Sequence, residues 1–178
     1  MSIKVYTATS PAKLLLVDDH PMLRRGVAEL LGLEDDVEVI GEASNGREAL
    51  AFLENNEVDL VILDHKMPIL TGLETLKEIK ARNIEVKTLL FTVSDTGEDV
   101  QEALKLGVDG YLLKDMEPEL IIVDIRKVLR GELVISPNLA SILAQTMRKP
   151  SIDDIAGNLT ARELQVIQMI SEGLSNKM

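Results

Sequence analysis

Four short apolar runs in this chain each stop at a residue able to do chemistry. Leu60-Val61-Ile62-Leu63 stops at Asp64, Leu14-Leu15-Leu16-Val17 at the pair Asp18-Asp19, Leu89-Leu90-Phe91 within Lys87–Thr92 at Thr92, and Gly110-Tyr111-Leu112-Leu113 at Lys114. Singly, each has an ordinary explanation: an acid or hydroxyl after a strand often caps the next turn, and a lone lysine is usually solvated. Together they supply three carboxylates, a hydroxyl and an ammonium. Hard carboxylate oxygens suit Mg²⁺, which is held by a few acids plus waters and phosphate oxygens. An aspartate can also attack phosphorus and form an acyl phosphate, while a metal and an ammonium offset the charge of the transferred group. Asp64, the acid on the central run, is the candidate nucleophile. Asp19, and less directly Asp18, would hold the metal, Thr92 would hydrogen-bond a phosphoryl oxygen, and Lys114 would pair with another.

These groups meet only if the strands run parallel with their carboxyl ends on one edge. The runs lack alternation, as strands covered on both faces do. Helical patterns lie between them: Pro21 opens one, Ser44-Asn45-Gly46 caps the next, Thr71 and Glu74 form a capping box, Gly107 stops a fourth, and Pro118 opens a fifth that ends at Gly131. With Val37–Ala43 as a further strand, five strands alternate with five helices. Strict alternation predicts a parallel α/β sheet with right-handed crossovers and helices on both faces. Open sheets of this kind place their ligands at the carboxyl edge.

Composition narrows the rest. The 178 residues are 46% hydrophobic with two Phe, two Tyr and no Trp, so the core is aliphatic, and the absence of cysteine excludes disulfides and thiolate metal sites. No apolar run approaches the roughly 20 residues that span a bilayer; a cytoplasmic protein with no membrane partner is expected. A formal net charge of −11 argues against a large nucleic-acid surface. Beyond residue 131 the pattern changes. Pro137 to Arg148 reads as one amphipathic helix with Leu139, Ile142, Leu143 and Met147 on one side, followed by a linker. A second capping box, Thr160 and Glu163, opens the last helical segment, and Ser175-Asn176 reads as the cap of another helix.

The stretches LLLVDDHPMLRRGV, VILDHKMP, LLFTVSD and DGYLLKD resemble the receiver domain of two-component response regulators, and LTARELQVIQMISEGLSNKM resembles the start of a LuxR-type helix-turn-helix. Together they resemble the NarL/FixJ family, nearest to its nitrate/nitrite regulators. The resemblance implies a five-stranded parallel flavodoxin-like (CheY-like) sheet of order 2-1-3-4-5, with residues 1–131 as the receiver, 132–158 as a linker with one helix, and 159–178 as the N-terminal part of a helix-turn-helix domain whose recognition helix lies beyond the sequence. It also implies phosphorylation of Asp64 by a sensor histidine kinase. Mg²⁺ would be served by Asp18, Asp19, Asp64 and the backbone carbonyl of Lys66. Lys114 would contact the phosphoryl group, and Thr92 and Tyr111 would act as the switch pair. Dimerisation would follow phosphorylation, and DNA would be bound only through the missing part of the output domain.

Two positions depart from the family pattern. The turn after Asp64 is His65-Lys66, where an aliphatic residue and then often Asn is usual. Lys66 either points to solvent or places a cation that weakens metal binding or lengthens the phosphoryl lifetime; His65 is expected to point away from Asp64. Lys114 is followed by Asp115 rather than proline. Two other readings compete: a phosphotransferase that turns over an aspartyl intermediate, which lacks its second acid because that position is Lys66, and a pseudo-receiver that never accepts phosphate.

Overall fold

The computed structural model describes residues 4–93 and 96–147, together with the helical residues Gln165, Val166, Met169 and Ile170. Strands β1 (Ala12–Val17), β2 (Val37–Ala43), β3 (Leu60–Leu63), β4 (Lys87–Thr92) and β5 (Gly110–Leu113) alternate with helices α1 (Pro21–Gly32), α2 (Gly46–Asn55), α3 (Gly72–Ala81), α4 (Gly97–Lys105) and α5 (Pro118–Leu129). A two-residue strand β6 (Val134–Ile135) and helix α6 (Pro137–Met147) follow. The sheet is parallel throughout, in the order β2-β1-β3-β4-β5-β6. The expected order 2-1-3-4-5 is present, but the expectation of five strands is corrected to six. Val134 and Ile135 pair with Gly110 and Tyr111, and a strand of two residues is too short to show a period.

Strand residues alternate between two apolar layers. Leu15, Val17, Val61, Leu63, Leu90, Tyr111 and Leu113 face one layer with side chains from α2, α3, α4 and α6. Leu14, Leu16, Leu60, Ile62, Leu89, Phe91 and Leu112 face the other, covered by α1 and α5. Every residue of β3 is buried, which explains why its sequence shows no polar alternation.

The helix starts follow their capping residues. Asn45 accepts a hydrogen bond from the Glu48 amide at 3.0 Å, and Glu48 accepts one from the Ser44 amide at 2.9 Å. Thr71 and Glu74 form the predicted reciprocal box, at 3.1 and 3.0 Å. Pro21 and Pro118 open α1 and α5. The helix expected from Pro137 is α6, and its Leu139 and Leu143 are fully buried in the layer that holds α4. A Cβ on Gly97, the first residue of α4, would overlap the Thr146 side chain, so glycine is what lets α6 lie this close. The proposed linker beyond Met147 and most of the expected 159–178 segment lie outside the described residues. Among the described residues, no helix is long and apolar enough to cross a membrane.

Candidate functional site

Neighbouring strands hold the acids in place. The Asp64 amide donates to the Val17 carbonyl at 2.9 Å, and the Asp18 amide donates to the Ala43 carbonyl at 3.0 Å. Each acid therefore continues the ladder by one residue, at the carboxyl ends of β1 and β3, before the chain turns away. Lys114 reaches across from the end of β5, and its amide donates to the Thr92 carbonyl at 2.7 Å. Its Nζ lies 2.8 Å from Asp18 Oδ2 and 3.3 Å from Asp64 Oδ1. The lysine thus bridges two carboxylates that would otherwise repel each other. Thr92 is buried at the end of β4 on the same edge.

Burial sets the electrostatics. Asp64 is only 5% exposed. Desolvation pushes its carboxyl above the usual carboxylate range, and the Asp18 charge adds to this while Lys114 opposes it. Asp18 is buried as well, and desolvation pulls it upward. Hydrogen bonds from Lys114 and from the His20 amide outweigh that effect and leave it below its ordinary value. One edge thus holds two acids shifted in opposite directions, a pattern that marks functional sites.

The loop after Asp64 turns on the His65 carbonyl, which accepts from the Met67 amide at 3.2 Å and the Gly72 amide at 2.8 Å. Lys66 is exposed, as one of its two expected placements required. His65 is buried and turns toward α4, where its Nε2 lies 3.5 Å from Asp99 Oδ2. A Cβ on Gly72 would fall 2.6 Å from the Asp64 carbonyl oxygen and 2.8 Å from the His65 Cα. These are backbone atoms that cannot yield without moving the acid. Gly72→Ala is therefore expected to lower stability by about 1–3 kcal/mol through overpacking, read as a shift of the urea midpoint at unchanged slope.

Sequence reading brought together Asp18, Asp19, Asp64, Thr92 and Lys114, and these residues do share one edge. It did not identify His20. The His20 Nδ1 lies 3.0 Å from Asp18 Oδ1, 3.0 Å from Asp19 Oδ1 and 3.9 Å from Asp64 Oδ2. Its position between the acid pair and Pro21 was the available signal. A hydrogen bond from the imidazole to Asp18, with the Asp19 charge beside it, holds the ring's pKa above its ordinary value. Ligand atoms of Asp18, Asp19, His20 and Asp64 all lie within 4.8 Å of one another. Asp19 Oδ1 is buried and accepts no hydrogen bond from the described residues. Three carboxylates against one ammonium, with an acceptor oxygen left over, fit a hard divalent cation.

Comparison with known proteins identifies the family. The family model of the response regulator receiver domain matches residues 14–126. The nitrate/nitrite response regulator protein NarL of Escherichia coli (strain K12) is 43% identical over 94% of this chain and 79% of its own length. NarP of the same organism is 36% identical over 94% of this chain and 78% of its own length. A crystal structure of a LuxR-family two-component response regulator from Aurantimonas sp. SI85-9A1 superposes with a TM-score of 0.73 at 28% identity, covering 79% of this chain and all of that one. A parallel sheet that gathers acids, hydroxyl and lysine on one edge, matched by the receiver model over most of its length, makes this chain a member of the response regulator receiver family, with NarL-type regulators among its relatives.

Proposed function

We propose that this protein is a phosphorylation switch in which Asp64 accepts a phosphoryl group from a sensor histidine kinase in the cytoplasm. The observation that carries this reading is Asp64 itself, almost fully buried at the end of the central strand with Lys114 at 3.3 Å and Asp18 beside it. An Asp64 oxygen would attack phosphorus as the phosphorus–nitrogen bond of a phosphohistidine breaks. The acyl phosphate forms, and the imidazole leaves with the bonding electrons and takes up a proton. Mg²⁺, held by Asp19, Asp18, Asp64 and the Lys66 backbone carbonyl, would supply charge neutralisation for the transferred group. Lys114 would exchange one carboxylate partner for a phosphoryl oxygen, and Thr92 would hydrogen-bond another.

Thr92 and Tyr111 would form the switch. Tyr111 is fully buried, and its hydroxyl has no hydrogen-bond partner among the described residues. Such an orphan costs about 1–3 kcal/mol, so a rearrangement that gives the hydroxyl a partner would be favoured. Movement of Thr92 toward the phosphoryl group would shift the surface of β4, α4, β5 and α5. In this reading residues 1–131 form the receiver and α6 couples it to an output segment at 159–178. Phosphorylation favours a homodimer, and DNA is bound only by a complete output domain. The phosphotransferase alternative lacks a second acid two residues beyond Asp64, where the exposed Lys66 stands.

Intact mass after incubation with acetyl phosphate and Mg²⁺ tests the assignment. One added phosphoryl group on the wild type and none on Asp64→Asn is the expected result. Equal labelling of both would overturn Asp64 as the acceptor, and no labelling of either would favour a pseudo-receiver.

A further inference from the structure

We infer that His20 is a ligand at the acidic site, so that the site binds a divalent transition ion in preference to Mg²⁺, with Mn²⁺ as the probe. This rests on the reading of Asp18, Asp19 and Asp64 as a metal site and adds a nitrogen donor to it.

Three observations support the inference. The first is spacing. Adjacent donors on an octahedral ion with bonds of about 2.1 Å lie roughly 3.0 Å apart, and His20 Nδ1 stands 3.0 Å from both Asp18 Oδ1 and Asp19 Oδ1.

The second is hydrogen-bond supply. A ring nitrogen carries at most one proton. Nδ1 bonds Asp18 Oδ1, and Asp19 Oδ1 is left buried with no hydrogen-bond partner among the described residues. One proton cannot serve both oxygens. A cation coordinated by the nitrogen and both carboxylates would serve all of them.

The third is placement. His20 is the N-cap residue of α1, but its side chain makes no capping bond. Its backbone is fixed instead, the amide donating to Asp18 Oδ1 at 2.8 Å and Pro21 following directly. The ring is therefore held over the acids without serving the helix. It is also largely exposed, so the Nδ1 proton can pass to solvent as an ion binds, and little rearrangement is needed to turn the freed lone pair to that ion.

The consequence is selectivity. An all-oxygen set suits Mg²⁺, whereas imidazole raises affinity for first-row transition ions and offers Mg²⁺ little.

The test uses the full chain with Mn²⁺. Pulsed electron paramagnetic resonance detects ¹⁴N coupled to bound Mn²⁺, and competition titrations give the affinities for Mn²⁺ and Mg²⁺. The chain has two histidines, so His65→Gln is the internal control. The wild type and His65→Gln are expected to show ¹⁴N coupling, and His20→Gln to lack it. The Mn²⁺ affinity of His20→Gln is expected to fall about tenfold with Mg²⁺ affinity nearly unchanged. Bound Mn²⁺ without ¹⁴N coupling, or an equal loss for both ions, would overturn His20 as a ligand and leave the phosphoacceptor reading intact. No Mn²⁺ binding at all, with phosphorylation from acetyl phosphate also absent, would overturn both. Circular dichroism of His20→Gln confirms that the fold is retained.

Discussion

Lys114→Met is expected to lower the stability of the metal-free protein by about 3 kcal/mol, because removing one partner of a buried ion pair leaves the other charge uncompensated. Here two carboxylates lose their cation at once: Asp18, at 2.8 Å, and Asp64, at 3.3 Å. Asp64→Asn is expected to do the opposite and stabilise the metal-free protein, since it removes a buried charge that sits beside two other acids. The double variant is expected to lose less than Lys114→Met alone, because only Asp18 is then left without its cation.

The pH dependence follows from the opposite shifts of the two acids. Asp64 is raised in the fold, so the native state binds more protons than the unfolded chain between the two pKa values. Stability falls as pH rises through that window and stays reduced above it. Asp18 is lowered, so its contribution is present above the ordinary carboxylate pKa and is lost as pH falls through its folded value. The advantage of Asp64→Asn over wild type is therefore expected to be largest near neutrality and to shrink on acidification toward the ordinary carboxylate range. Urea midpoints across that range check the sign, and a constant advantage would show that Asp64 is not raised. Added Mg²⁺ is expected to narrow the gap between Lys114→Met and wild type, since a bound cation replaces the missing ammonium.

Much of this site is readable from sequence because the sheet does the positioning. Once Leu60–Leu63 and Leu14–Val17 are identified as parallel buried strands, the residue that ends each one must reach the same edge, so Asp64, Asp18 and Asp19 are located without any knowledge of side-chain geometry. The same logic places Thr92 and Lys114. It does not locate His20, which lies beyond the strand where the chain turns, and a turn's direction is not encoded in strand periodicity. His65 shows a related limit. Alternation correctly turns it away from Asp64, but its approach to Asp99 depends on where the first turn of α4 sits, which is a matter of packing between two helical layers. β6 escaped notice for a third reason. Two apolar residues have no period, and Val134-Ile135 becomes a strand only because the edge of β5 offers it unpaired groups at Gly110 and Tyr111.

The same edge governs what α6 can do. Ser136 joins β6 to α6, and its amide donates to the Tyr111 carbonyl at 3.0 Å while its Oγ accepts from the Leu113 amide at 3.0 Å. The root of α6 is thus fastened to β5, and its body is anchored by Leu139 and Leu143, both fully buried. Leu143→Ala is expected to cost about 3 kcal/mol, as a large-to-small change in a packed core does. A helix tied to the sheet at its root should unfold together with it, so the loss should appear in the global urea midpoint and in amide exchange of α4, β5 and α6 alike. If α6 instead undocks alone, the global midpoint stays nearly constant and only the amides of α6 exchange faster. The first outcome makes α6 part of the cooperative unit that contains Tyr111. A displacement of the β5 backbone at Tyr111 would then move the base of α6 through the hydrogen bond from the Ser136 amide to the Tyr111 carbonyl, giving the proposed switch a physical route from the buried carboxylate edge to the segment that follows α6.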